Sequence, residues 1–136
     1  MKVFVDTNVL VDFVCNRDTF AANAKKLFAH GYLGEYTLQT SALSFITAMY
    51  VGERFNHPEV RTYLERVSSF IEVLDLYGKD VVDMLSSGWK DYEDSVQHQS
   101  AVHFGSDCIL TRNKKDFKNS VLPVYTPEEL IEILKI

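Results

Sequence analysis

Short apolar runs alternating with long amphipathic ones predict an α/β fold, a parallel sheet with helices on both faces. Three observations carry this expectation. Val3-Phe4-Val5 is a β-prone run without polar alternation, as in a strand buried on both faces. Helical patterning follows such runs repeatedly along the chain. Only three prolines and six glycines punctuate 136 residues, and no Ser/Gly-rich linker, internal repeat or low-complexity segment appears. Residues 1–136 therefore read as a single domain.

The elements are expected in the following order. The first strand spans residues 2–5, and a short helix runs from Asn8 to Cys15. Asp18 or Thr19 caps a longer helix to about His30, with Ala22, Leu27 and Phe28 on its apolar face. Residues 36–39 make a second strand, and Thr40 or Ser41 caps a helix to roughly Phe55. Pro58 suits the first turn of a helix ending near Ser68. Residues 70–76 form a third strand, and 79–86 and 92–104 two helices, the second stopped by Gly105. A fourth strand, 107–111, runs into the charged stretch 112–118, and Val121, Leu122 and Val124 suggest a fifth strand. Thr126-Pro127-Glu128-Glu129 opens the last helix, completed by Leu130 to Leu134.

Composition narrows the function classes. Hydrophobic residues make up 46% and charged residues 24%, a globular balance. Fourteen Lys and Arg against nineteen Asp and Glu give a net charge of −5, which excludes a polycation coating nucleic acid by charge alone. Cys15 and Cys108 stand far apart in apolar surroundings, so neither a zinc site nor a disulfide framework is expected. The first apolar run is broken at Asp6, which fits neither a signal peptide nor a membrane span, and the chain reads as cytoplasmic with no membrane partner.

In a parallel sheet, ligands bind outside the carboxyl ends of the strands, where strand order reverses. Three groups of residues fall at such ends. Asp6 follows the first strand, and Thr7 and Asn8 open the next helix; Asp6 or Thr7 could equally serve as its cap. Asp12, further along that helix, reads as a solvated side chain. Asp91-Tyr92-Glu93-Asp94 places three acids at a helix start, more than capping needs, with Asp91 and Asp94 on one helix face. Thr111-Arg112-Asn113-Lys114-Lys115-Asp116-Phe117-Lys118 puts a hydroxyl, an amide and a carboxylate among four basic side chains. The three groups converge if strands one and four are adjacent. Carboxylates with few His or Cys select hard cations such as Mg2+ or Mn2+, and a metal-activated water attacking a phosphodiester fits that inventory.

VFVDTNVLVD, TSALS, DYEDSVQ and DCILTRNKKDF occur in the order seen in PIN domains, and the chain resembles that family along essentially its whole length. It looks most like solitary bacterial proteins similar to the VapC-type toxin ribonucleases of toxin–antitoxin pairs. The resemblance implies a PIN-like three-layer α/β/α domain with a central parallel five-stranded sheet. It also implies an endoribonuclease dependent on Mg2+ or Mn2+, cleaving single-stranded or structured RNA. Carried over by motif, Asp6, Asp94 and Asp116 are the catalytic and metal-ligating acids, and Asp91 is a further candidate metal ligand. Asn8 and Thr111 would hydrogen-bond those acids, Asn113 would support or share the part of Asp116, since some relatives carry an acid there, and Arg112, Lys114 and Lys115 would steady substrate phosphate. An antitoxin protein and a homodimer are the implied protein partners.

One departure stands out. The family usually carries a Glu on the helix after the second strand, and counting from Ser41 that position falls at Thr47. Asp91 or Glu93 could compensate; otherwise the domain is weakened and serves as an RNA- or protein-binding module. His98 lies four residues after Asp94 and could share its helix face. Phe45, Met49, Tyr50 and Phe55 offer apolar surface that is either core or a dimer face. Other α/β phosphotransfer domains fit less well: a haloacid-dehalogenase-like enzyme would want an acid where Asn8 stands.

Overall fold

The computed structural model describes residues 1–136. In chain order the elements are β1 (Lys2–Val5), α1 (Thr7–Val14), α2 (Ala21–Tyr32), β2 (Thr37–Ser41), α3 (Ala42–Arg54), α4 (Val60–Val67) and β3 (Ile71–Leu74). Then come α5 (Gly78–Met84), α6 (Tyr92–His103), β4 (Cys108–Leu110), a 3-10 turn (Lys114–Phe117), β5 (Val124–Tyr125) and α7 (Pro127–Leu134). The five strands form one sheet in the order β3-β2-β1-β4-β5. Every neighbouring pair is parallel.

The central strand explains the layering. Val3, Phe4 and Val5 have no exposed surface. Side chains alternate across a strand. Val3 and Val5 therefore join the larger core, built with α1, α2, α3, α4 and α7, through residues such as Leu10, Phe28, Ala48, Leu64 and Leu130. Phe4 points to the other face, where Ile109, Ala101 of α6 and Phe117 pack against it. This is the expected α/β/α arrangement, with β1 at its centre.

Strand direction fixes the functional edge. Asp6, Ser41 and Thr111 end or directly follow β1, β2 and β4, so all three lie at the carboxyl edge of the sheet. The chain steps outward from β1 to β2 and β3, then returns to the opposite side of β1 as β4. The reversal places the crevice between β1 and β4, and the Asp6 N–H donates to the Leu110 carbonyl across it (2.9 Å).

Several local expectations are corrected. Neither Asp18 nor Thr19 caps α2; Phe20 occupies the cap position and makes no side-chain cap bond. Ala21 and Ala24 face the core there, while Ala22 is exposed. The strand expected from 70 to 76 covers only Ile71–Leu74, and its middle residues are exposed, as suits the sheet edge. Val121 and Leu122 lie outside β5 in a bend. The start of α7 is as read: Thr126 and Glu129 form a complete capping box. No helix is long and apolar enough to cross a membrane.

Candidate active site

Asp6 sits at the N-cap of α1 with only 4% of its surface exposed. Four groups orient its carboxylate. The Thr7 N–H donates to Oδ1 (2.8 Å), and the Asn8 amide (3.0 Å) and Thr111 hydroxyl (2.8 Å) donate to Oδ2. The Gln97 amide makes a longer 3.5 Å contact with Oδ1. Burial raises the Asp6 carboxyl above its ordinary value, the hydrogen bonds from Thr111, Thr7 and Gln97 oppose that, and the Glu93 charge adds to it. Asn8 also accepts from the Arg112 N–H (3.2 Å), so it ties β1 to the loop after β4.

A cavity of about 230 Å³ opens above Asp6. Asp91, Glu93, Asp94 and Asn113 line it together with Val11, Arg17, Thr47 and Val51. Asp91 is the N-cap of α6 and accepts from the Asp94 N–H (3.0 Å). The Asp94 carboxyl is pushed up to about 7, by burial first and then by the charges of Asp6, Asp91, Asp116 and Glu93. Asp116 lies on the exposed 3-10 turn and does not line the wall, yet stands close enough for its charge to act on Asp94.

Under this cavity lies a hydrogen-bond network not anticipated from sequence. Gln97 is fully buried. Its amide donates to Ser44 Oγ (2.6 Å) and Thr7 Oγ1 (3.0 Å), and its Oε1 accepts from the Ser41 hydroxyl. The Thr7 hydroxyl in turn donates to Glu93 Oε1 (3.0 Å). Ser41 caps α3 by accepting from the Ser44 N–H (3.1 Å). The network links the ends of β1 and β2 to α6 and satisfies each buried polar side chain it contains. Single Ser, Thr and Gln residues carry no signal in one sequence, so only their shared position at strand and helix ends could have pointed to it.

The charged residues around the site differ from expectation. Asp12 is not solvated: it is 1% exposed. Arg112 grips it with both Nε–Oδ2 (2.6 Å) and Nη2–Oδ1 (3.2 Å) bonds. The guanidinium also lies over the Phe20 ring, 3.9 Å from its centroid. Arg112 is thus occupied within the fold, and Lys114 is occupied by Glu129 (2.9 Å). Lys115 is exposed, and none of the three lines the cavity; Arg17 does. His98 accepts from the Val121 N–H (3.1 Å) and packs against Trp89, so its role is structural. No three His, Cys, Asp or Glu side chains stand together as a ready metal cage.

Solved structures place this arrangement among known folds. VapBC2 from Rickettsia felis bound to a promoter DNA fragment is similar over 93% of this chain and 98% of its own, at 17% identity and TM-score 0.66. A toxin–antitoxin complex from Klebsiella pneumoniae shares 22% identity over 92% of this chain and 97% of its own, TM-score 0.64. VapC20 from Mycobacterium tuberculosis, a sarcin-ricin loop cleaving toxin, shares 16% identity over 79% and 86%, TM-score 0.63. No curated protein matches the chain in sequence. The family model described as PIN domain matches residues 2–115, well over half of the sequence, and the chain therefore belongs to the PIN domain family.

Proposed function

We propose that this PIN domain is a divalent-metal-dependent endoribonuclease, and that Asp6 and Asp94 are its principal ligating acids. The crowding of Asp94 carries this reading. Four neighbouring carboxylates and burial together hold it at about 7. Such packing of like charge is unfavourable unless a cation offsets it. The donors are hard oxygens, which fit Mg2+ or Mn2+ rather than a softer metal. Mg2+ takes only one or two carboxylates and keeps several waters and substrate phosphates as further ligands, so the lack of a three-donor cage does not conflict. When bound, the cation supplies Lewis acidity toward water and the phosphodiester.

The remaining residues have supporting parts. Asn8, Thr7 and Thr111 hold the Asp6 carboxylate in one orientation. Asp116 and Asn113 approach from the loop after β4. Glu93, fixed through Thr7, provides a carboxylate on the cavity wall where Thr47 offers none. The likeness to toxin–antitoxin complexes supports a toxin role with an antitoxin partner, and that to a sarcin-ricin loop cleaving toxin supports RNA as substrate.

The test is Mn2+-dependent cleavage of single-stranded RNA by the purified chain. Wild type is expected to cleave, Asp6→Asn and Asp94→Asn to lose at least about a hundredfold, roughly 3 kcal/mol of the kind such charge stabilisation supplies, and Glu93→Gln to lose roughly tenfold. The absence of a carboxylate at Thr47 favours a second reading, a weakened domain that binds RNA or protein without cutting. Wild-type protein that binds RNA yet leaves it intact in Mn2+ would establish that reading instead.

A further inference from the structure

The two basic groups nearest the site share one counter-ion. Arg112 takes both carboxylate oxygens of Asp12, and Arg17 reaches the same carboxylate only at 3.5 Å. Arg17 is therefore the more loosely held of the two; its side chain is 38% exposed and lines the acidic cavity. Its backbone is held at both ends: its N–H donates to the Asp12 carbonyl (3.1 Å), and its carbonyl accepts from the Ala21 N–H (2.8 Å).

Arg17 and Val51 also line a second hollow of about 250 Å³. The two hollows therefore adjoin at Arg17 and Val51. Phe55, 61% exposed at the end of α3, and His57 also line the second one, and the Arg54 guanidinium lies 5.8 Å from the Phe55 ring centroid. The two hollows together present carboxylates, the Arg17 cation that lines both, and an exposed aromatic ring. A single nucleic-acid strand presents the matching set of scissile phosphate, neighbouring phosphate and flanking base. Cationic grooves with aromatic stacking platforms are the general solution for single strands.

We propose that Arg17 binds a phosphate next to the scissile one, and that the flanking base of a single-stranded RNA seats against Phe55. The assignment rests on the ribonuclease reading and names the path its substrate takes. On a chain of net charge −5 with an acidic site, binding needs such a local cation. Arg112, Lys114 and Lys115 do not line this path.

The experiment is fluorescence anisotropy of a labelled single-stranded RNA hexamer at several KCl concentrations. The full chain carries Asp94→Asn so that it binds without cutting. Adding Arg17→Gln should raise Kd about tenfold and lower the log–log salt slope by about 0.7, the share of one phosphate on a single strand. Arg17→Lys should recover most of both. Phe55→Ala should raise Kd about tenfold without changing the slope, as loss of one stacked base does. Unchanged Kd and slope in Arg17→Gln, while wild type cleaves RNA, would overturn the assignment and leave the nuclease reading standing. A deficit in Arg17→Lys equal to that in Arg17→Gln would reduce Arg17 to a packing role and also overturn it. A wild-type chain that neither binds nor cuts RNA would remove both proposals, and a peptide-binding groove would then be the better account.

Discussion

Asp94 shows how one side chain can register both burial and the charges that the fold brings around it. In the unfolded chain its carboxyl titrates near 3.8; in the folded protein it is held at about 7. Between those values the folded state binds the proton more tightly. Stability from this group is therefore complete below about pH 4 and is lost as pH rises through about 7. Asp6, also raised, acts in the same direction. In chelator, the melting temperature should fall between pH 5 and pH 8, and the fall should flatten in Asp94→Asn. At pH 8, Mn2+ should raise the melting temperature of wild type by mass action, and that of Asp94→Asn much less. Equal gains in the two proteins would place the cation elsewhere. The acid itself was legible in the sequence, because three acids at one helix start exceed what capping requires. The network under Asp6 was not: Gln97, Ser41 and Ser44 are chemically ordinary until α6, β2 and α3 bring them together there.

At the scale of elements, Asp12 was misread for a physical reason. A carboxylate inside a short amphipathic helix is usually solvated, and only a distant cation can reverse that. Arg112 supplies it from 100 positions away, fastening the loop after β4 to α1. Removing one member leaves the other charged and poorly solvated. Asp12→Ala should cost about 3 kcal/mol in urea unfolding, as breaking a buried pair does. It should also lower RNA cleavage more than melting alone explains, because Asn113 and Asp116 ride on the released loop. The α3–α4 junction holds a second such constraint. A Cβ on Gly52 would lie 2.8 Å from Val60 side-chain atoms, so Gly52→Ala should destabilise by about 1–3 kcal/mol through overpacking. The buried apolar run of β1 and the Thr126 capping box were readable because their causes are local. The shortness of β3 and β5 was not, since an edge strand ends where its neighbour stops pairing, and that is set by the tertiary structure.

Across the whole molecule, the apolar residues of α3 divide into two sets. Phe45 and Met49 pack against the core, while Ile46 and Tyr50 are 57% and 70% exposed. Ile46 and Tyr50 stand four residues apart and so share one helix face. That face lies away from the acidic cavity, whose α3 contributors are Thr47 and Val51. Contiguous exposed apolar surface on a folded domain marks an interface. A second copy of the chain is the expected occupant, as the PIN resemblance also implied. Light scattering at micromolar concentration should give twice the protomer mass. Ile46→Glu should return the monomer with unchanged helicity, because the substituted side chain is solvent-facing in a single protomer. Cleavage should survive in that monomer, since each cavity draws all its acids from one chain. A monomeric wild type would leave this face to a different partner, and an inactive Ile46→Glu monomer would show that a second protomer completes the site.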